Sequence, residues 1–279
     1  MFYIKQNRNF MKRILLILLI IGAQQLKSQS LEIGIFGGGA YYIGDLNPHY
    51  HFLNTKEAYG GFVRYLENKR WAHRANFTFG KIMGDDLSSG FMPERGLSFK
   101  SKIYELSYIA EFNFLPYFTG STKDVFTPYL FAGLAGFYHK PMAFGISLRD
   151  AQTENQGGTV LADAAKPYSL YQIAIPFGMG VKYSFSGRFA ASLEWGLRKT
   201  FTDYLDDVST EYYISSSSTN PNDHNYNNLG VSDPTYNHEP FMQRGLRASK
   251  DWYSFFGVSL FYRFNLTKRG ACATFQSPY

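Results

Sequence analysis

The feature of this sequence that most limits its fold is a two-residue alternation of apolar and polar side chains. It recurs in segments of about ten residues, the period of a β-strand with one face in an apolar medium. In the segment 171–183 the odd positions are large and apolar, whereas the even ones are mostly small or polar and include Lys182. The segment 189–201 repeats the pattern. We therefore expect strands, not amphipathic helices, to be the main elements.

Eight segments carry this pattern and are predicted as strands. They lie at 31–43, 58–66, 70–82, 101–114, 126–138, 169–185, 188–202 and 252–264. Within the sixth, Pro176 lacks a donor for the ladder and predicts a bulge or a local gap in pairing.

The connections between these segments alternate in length. Tight turns follow the second and sixth strands, a moderate link surrounds 116–123, and the other links are long. Short turns on one side and long loops on the other are typical of outer-membrane barrels. The sequence thus predicts an all-β fold, an eight-stranded antiparallel transmembrane β-barrel with long extracellular loops, short periplasmic turns and periplasmic termini. For the longest loop, 203–251, the alternative is disorder, since it is rich in Asn and Ser.

The N-terminal residues predict an export signal. Met11, Lys12 and Arg13 form a basic region, 14–23 is a short apolar stretch, and small polar residues follow. The alternative, a buried helix, is less consistent with these flanks. We expect a signal peptide at 1–30, with Met11 as an alternative start, a barrel at 31–264 and a periplasmic tail at 265–279. Cys272 is the single cysteine, which excludes an internal disulfide.

The net charge of +6 does not indicate a nucleic-acid partner. Five basic residues lie in the predicted leader, so its removal leaves a charge of +1. We expect no cofactor. The alternation of apolar and polar side chains in the strands implies that the barrel contacts outer-membrane lipid.

The charged residues of the strands decide which face meets lipid. They lie on the polar faces, where acidic and basic groups nearly balance. In a soluble barrel of the lipocalin type they would face water, whereas in a membrane barrel they face the lumen. The predicted lumen network comprises Glu32, Arg64, Arg74, Glu105, Glu111, Lys182, Glu194, Arg198 and Arg263.

Aromatic residues favour the membrane alternative. On the apolar faces they collect at two levels, as interfacial girdles do. The aromatic residues predicted at the level of the long loops are Tyr41, Phe79, Tyr104, Phe137, Tyr171 and Phe201. Those predicted at the level of the short turns are Tyr65, Trp71, Phe112, Tyr129, Tyr183, Phe189 and Tyr262. Eight strands enclose a lumen that side chains can fill, so we expect a salt-bridge network there and not a solute channel.

Few residues suggest chemistry. Gly37, Gly38 and Gly39 lie inside a strand, which indicates close packing and not a nucleotide loop. His139, His224 and His238 are predicted in loops, without a spacing that forms a catalytic dyad. The acidic group Asp203, Asp206 and Asp207 could bind a divalent cation through its oxygens. The alternative is that these carboxylates cap backbone amides within the loop.

Three motifs carry a family resemblance. The first is Gly44, Asp45, Leu46 and Asn47, after the first strand. The second follows the seventh strand and includes Thr202, Asp203, Tyr204, Leu205, Asp206 and Asp207. The third comprises Arg244 and Gly245, followed by Asp251, Trp252 and Tyr253. Together they resemble the PorG family, an outer-membrane barrel component of the type IX secretion system.

This resemblance implies a non-enzymatic part of a secretion machine. In that family the barrel is associated with a periplasmic ring of PorK-like and PorN-like proteins (GldK and GldN in gliding bacteria), and other translocon components could join it. Because the motifs lie at the extracellular end, we interpret them as loop-folding elements, and the tail with Lys268, Arg269 and Cys272 as a ring contact by location alone. The alternatives are a stand-alone OmpA-like surface barrel for adhesion or envelope integrity, and a lipid-modifying enzyme.

Overall fold

The computed structural model describes residues 30–154, 166–213, 229–239 and 241–265. The predicted signal peptide, His224 and the tail beyond Asn265 lie outside the described residues.

Nine strands and three short helices make up the described chain. The strands are β1 (Ser30–Ile43), β2 (Lys56–Leu66), β3 (Trp71–Asp85), β4 (Ser98–Asn113), β5 (Phe126–Ala143), β6 (Ile146–Ser147), β7 (Tyr171–Ser184), β8 (Phe189–Thr200) and β9 (Trp252–Asn265). The helices are α1 (Asp86–Ser89), α2 (Leu148–Ala151) and α3 (Leu229–Ser232), all in the long loops. Among the described residues, no helix is long and apolar enough to span a membrane.

Eight of the strands close into an antiparallel barrel. Each pairs with its neighbours along the chain, β6 only extends the end of β5, and β1 pairs with β9 from Ser30↔Asn265 to Ile43↔Trp252. Closure leaves no unpaired edge in the wall. The predicted eight-stranded β-barrel is therefore confirmed, although β3 and β5 run further toward the long loops, to Asp85 and Ala143.

The barrel wall is apolar outside and charged inside. Ile35 is 67% exposed and Tyr171 is 75% exposed on the outer surface, whereas Glu32, Arg64 and Glu111 are fully buried. A soluble barrel would show the opposite arrangement, because it buries its apolar face. The outer wall is therefore suited to lipid and the lumen to a polar network.

Near the long loops, aromatic rings from five neighbouring strands form a continuous row. Tyr59, Phe79, Tyr104, Tyr138 and Tyr171 are register partners from β2 to β7, with ring centroids 5.0–6.2 Å apart. We call this row the loop-end girdle. At the other end, aromatic pairs such as Trp71 and Phe112 mark the short-turn side.

The predicted facing of β5 was wrong. Tyr129 and Phe137 were assigned to the outer wall, but both are buried in the lumen, and Tyr138 takes the girdle position. The reason is local: Gly133, Ala135 and Gly136 blur the alternation, and a one-residue error moves every side chain to the other face. Tyr41 does face outward, but the loop residues His51 and Phe52 cover it.

Two special residues shape the wall locally. Opposite Pro176, the β5–β7 ladder lacks pairs at Gly133 and Leu134, and its register is the same on both sides. The local gap predicted from Pro176 is thus present, without a bulge. At Gly38 an added Cβ would lie 2.0 Å from the carbonyl oxygen of Phe256, so β1 and β9 pack too closely there for a side chain.

A closed barrel of this kind should resist unfolding in detergent. No strand edge is available for gradual opening, so unfolding has to break the whole hydrogen-bonded ring. We expect the unboiled protein to migrate faster than the boiled protein in SDS gels. Identical migration together with a helical circular dichroism spectrum would contradict the fold.

Candidate functional site: the charged lumen and the loop cap

The lumen holds a cluster of six charged side chains centred on Glu111. The Glu111 carboxylate lies 2.9 Å from Arg64 Nε, 2.9 Å from Arg74 Nε and 2.5 Å from Lys182 Nζ. Arg64 also pairs with Glu32 at 2.8 Å, and Arg74 with Glu194 at 2.7 Å. Three acids and three bases therefore neutralise one another, and we call this group the lumen cluster.

Neutral side chains complete the lumen cluster. The Tyr129 hydroxyl donates to Glu194 at 2.8 Å, Lys182 donates to Asn113 at 3.0 Å, and Thr119 donates to Glu32. The guanidinium of Arg64 lies 4.7 Å from the ring centroid of Phe62 and that of Arg74 lies 5.2 Å from it. Buried charges are tolerated only with such partners, because isolated ions lose their hydration.

The remaining predicted lumen charges lie apart from this cluster. Arg198 pairs with Glu105 at 3.2 Å, and the Tyr253 hydroxyl donates to the same carboxylate at 2.9 Å. Arg263 lies at the turn end, where its guanidinium packs 4.4 Å from the Phe118 ring and reaches the Gly187 carbonyl at 3.4 Å. Among the described residues Arg263 has no carboxylate in salt-bridge range, so the structure does not place it in the ion-paired network.

Little free space remains between the two charged groups. A cavity of only about 10 Å³ is bounded by side chains that include Arg74, Glu194 and Arg198. That volume is at the lower limit for a single water molecule. This part of the lumen is therefore a packed polar core.

Loss of one partner in the lumen cluster should destabilise the barrel. Glu194→Leu leaves an excess positive charge beside Arg74 and an unpaired Tyr129 hydroxyl, at a cost of about 3–5 kcal/mol. Leu193→Ala, its neighbour on the exposed outer face, should cost less than the roughly 2–5 kcal/mol of a buried Leu→Ala change, because no packed core is emptied.

Urea unfolding of both variants in lipid vesicles measures the difference. Equal losses of stability would contradict the inside–outside assignment.

A second network, which we call the loop cap, lies over the long-loop end. Arg95 forms an ion pair with Asp86 at 2.6 Å and also donates to the carbonyls of Asp45 and Arg244, at 3.0 and 2.5 Å. Those residues belong to three different loops. One buried guanidinium therefore ties the loops after β1, β3 and β8 together.

Arg244 fixes the other side of the loop cap. It pairs with Glu154 at 3.0 Å and donates to the Asp207 carbonyl at 2.5 Å. Glu154 in turn accepts from the backbone of Ser209 and Thr210. Gly245 next to Arg244 has no room for a side chain, because a Cβ would lie 2.7 Å from Asp45 Oδ2.

The base of the loop cap is built on Tyr42, at the end of β1. Its hydroxyl lies between Asp206, to which it donates, and Asp251 Oδ1 at 3.2 Å. Asp251 Oδ2 accepts from the Leu205 amide at 3.0 Å, and Asn47 donates to the Tyr42 carbonyl at 3.0 Å.

All three sequence motifs contribute to this cap. Leu46 and Leu205 are buried beneath it with Tyr253. Tyr204 stacks on Tyr168 at 4.8 Å, and the Thr202 hydroxyl accepts from the Tyr204 amide. Gly44 and Trp252 lie at its rim, where Gly44 bridges to Asn47 and Trp252 pairs with Ile43.

The three aspartates proposed for a cation each have a separate partner. Asp203 accepts from the Ser209 hydroxyl, Asp206 from Tyr42 and the Val208 amide, and Asp207 from Tyr168 and Thr153. Within the described ranges, no group of three or more His, Cys, Asp or Glu side chains is placed to hold a metal ion. Asp206 thus caps a backbone amide, whereas Asp203 and Asp207 accept hydrogen bonds from hydroxyl groups.

The predicted position of His139 was wrong. It lies in β5 and is fully buried, stacked at 6.1 Å on Tyr168, because β5 runs five residues past its predicted end. His238 is in a loop as expected, where Nδ1 contacts Asp233 at 2.8 Å and the ring stacks on Tyr212 at 4.4 Å. The structure does not bring these two histidines together.

Several residues of both networks are absent from the sequence-based prediction. Glu154, Arg95 and Asp86 lie in long loops, and the pairing of Arg95 with Asp86 joins residues nine apart. Tyr129 was assigned to the wrong face. Neither their spacing nor their neighbours in the sequence distinguish Glu154, Arg95 and Asp86 from other charged loop residues.

Burial makes the loop cap sensitive to pH. It raises the pKa of Asp207 to about 7, despite the opposing effects of Arg244, Thr153 and Tyr168. Burial also raises the pKa values of Asp206 and Asp251 well above their usual range. A carboxyl group whose pKa is higher in the folded than in the unfolded state stabilises the folded state while it is protonated. This stabilisation is lost as the pH rises from the unfolded pKa, near 4, to the folded pKa.

We therefore expect the loop cap to open more readily as the pH rises from about 4 to about 7. Hydrogen-exchange protection factors for the amides of 201–213, corrected for intrinsic exchange, should be lower at pH 8 than at pH 5. Asp207→Asn should reduce this difference. Greater protection at pH 8 in the wild-type protein would contradict the assignment.

A closed β-barrel with a lipid-compatible wall, a filled lumen and a structured loop cap defines the class of this protein. The chain belongs to a family described as a domain of unknown function, DUF6089, whose model matches residues 11–274. No curated protein matches the sequence.

Several solved outer-membrane barrels are similar to the chain in structure. Ail of Yersinia pestis, solved in complex with the heparin analogue sucrose octasulfate, is 10% identical, with a TM-score of 0.42 over 85% of this chain and 100% of that one. Neisserial surface protein A is 10% identical, with a TM-score of 0.39 over 85% and 98%. The N-terminal barrel domain of Pseudomonas aeruginosa OprF is 15% identical, with a TM-score of 0.35 over 84% and 97%.

Proposed function

We propose that this protein is a non-enzymatic, non-conducting barrel of the outer membrane that serves as an assembly part of the type IX secretion system. One observation carries the proposal: the three motifs that resemble the PorG family, far apart in sequence, form one interlocked loop cap. Arg95, Arg244 and Asp251 each bond to partners in other segments of the cap. The three motifs thus depend on one another for the fold of the cap.

The barrel is suited to anchoring and not to transport. The lumen cluster spans the barrel, and the space beside it is smaller than any nutrient. A component that neither conducts nor catalyses can still hold a machine in the membrane. These features support a role as a scaffold whose outer wall anchors it in the membrane.

The proposed partner is the periplasmic ring of PorK-like and PorN-like proteins, and its side of the barrel is the short-turn end. Exposed charged groups occur there: Lys69, with 64% of its side chain exposed, pairs with Asp124, and Arg188 donates to the Tyr262 hydroxyl. Phe185 is exposed in the adjacent turn. A ring partner could therefore meet both charged and apolar side chains at this end.

Deletion of the gene should block export of many unrelated cargo proteins at once and cause them to accumulate in the periplasm. A tagged wild-type copy should restore export and recover ring proteins on purification. Proteomics of medium and periplasm gives the first result, and mass spectrometry of the purified barrel gives the second. Normal secretion in the deletion strain, with no ring protein recovered, would favour a stand-alone surface barrel.

Charge reversal at the turn end tests the proposed contact. Lys69→Glu with Lys123→Glu should weaken recovery of the ring proteins, because both exposed bases lie in the turns. The matched control is Arg247→Glu with Lys250→Glu in the long loop between β8 and β9, which should leave recovery unchanged. If the control pair reduced recovery and the turn pair did not, the ring would contact the opposite end.

A further inference from the structure

Three lysines form a row on the outer wall, at the same level of the barrel. Lys81 of β3 is the register partner of Lys102 of β4, which is in turn the partner of Lys140 of β5. All three lie on the outward face, like the girdle tyrosines Tyr104 and Tyr138 two residues away. We call them the lysine row.

Like charges at directly opposite positions of neighbouring strands destabilise a sheet. Two members are partly compensated, because Lys81 pairs with Glu57 at 2.6 Å and Lys140 lies 3.7 Å from Asp150. For Lys102, the central member, no carboxylate lies within salt-bridge distance in the described part of the chain. Lys100 and Lys56 add further positive charge nearby. The row therefore has an unbalanced positive charge that an external anion would neutralise.

The position of the row identifies the kind of anion. It lies immediately beyond the loop-end girdle, on the side of the long loops: the girdle partners Phe79, Tyr104 and Tyr138 each lie two residues from a member of the row. Aromatic girdles mark the boundary between the hydrocarbon core and the headgroups. The lysine row is therefore at headgroup level, where the anions are lipid phosphates.

The surface beneath the row suits the rest of a lipid. A groove of about 530 Å³ runs between the lysines; Tyr104 and Tyr138 line it on the membrane side of the row, and Met83 and Met142 on the side of the long loops. A second apolar groove of about 510 Å³, over the bare surface at Gly136, shares Tyr104 and Tyr138 with it. Acyl chains can thus follow the wall below a phosphate held above it.

We propose that the lysine row is a binding site for the phosphate groups of a lipid in the leaflet next to the long loops. Lys102 is the central contact, with Lys81 and Lys140 on either side. The grooves receive the acyl chains. This inference depends on the wall facing lipid and not on the secretion role.

The test uses the full-length barrel in phosphatidylcholine nanodiscs that contain either diphosphorylated lipid A or the same lipid after removal of its phosphates. Native mass spectrometry measures retained lipid A. The wild-type barrel should retain the phosphorylated form preferentially. The triple variant Lys81→Gln, Lys102→Gln, Lys140→Gln should retain it about 100-fold more weakly, since each lysine near an anionic lipid surface contributes roughly a factor of five.

Two variants separate charge from folding. Lys81→Arg, Lys102→Arg, Lys140→Arg keeps the charge and should keep the binding. Lys69→Gln, Lys123→Gln, Arg188→Gln removes three bases from the turn end and should also keep it. The gel shift between unboiled and boiled samples shows that each variant is folded.

Other outcomes would overturn the proposal. Equal retention by the glutamine variant and the turn-end control would show that the row does not bind lipid. Equal retention of the dephosphorylated lipid would show that the grooves act without the charges. Complete displacement by inorganic phosphate would show a simple anion site and not a lipid site.

Discussion

The structure depends on the ion pairs that Glu111 makes inside the barrel. Its single carboxylate meets cations from β2, β3 and β7, and the two arginines among them are bound in turn by acids of β1 and β8. Tyr129 of β5 bonds to Glu194, and Phe261 of β9 lies 4.5 Å beneath Arg64. With Glu111 itself on β4, every strand of the barrel contributes a side chain to one connected group. Hydrogen bonds close the wall, and this group joins its opposite sides.

The lumen cluster also limits the functions that the barrel can have. Charges buried in the lumen need partners on all sides, so this level cannot be emptied to form a channel without a large loss of stability. The outer wall between the two aromatic levels is then free to be apolar, and the charged groups outside the lumen lie toward the two ends of the barrel. At one end the loop cap is stabilised by two buried arginines, Arg95 and Arg244. At the other end, turns with exposed charges remain accessible.

Much of this could be predicted from alternation alone. In β7 and β8 large apolar residues alternate with small or charged ones, and the faces were assigned correctly along both strands. In β5 the glycines and alanines remove the contrast, which is why Tyr129 and Phe137 were placed outside. His139 was placed in a loop because β5 continues five residues past its predicted end. The sequence indicates which charged residues face the lumen, but not which acid pairs with which base. Arg74 and Glu194, for example, lie on strands that are not neighbours and meet only because the barrel is closed. The loop cap joins segments far apart in sequence, and nothing in local periodicity encodes such contacts.

A lumen filled by the Glu111 ion pairs should not conduct ions. Conductance of the purified wild-type protein in a planar lipid bilayer tests it directly. With the lumen cluster intact, the current should not exceed that of the bare bilayer at any moderate voltage. A steady ohmic conductance of the wild-type protein would show that an open path passes the lumen cluster, and would contradict a filled lumen.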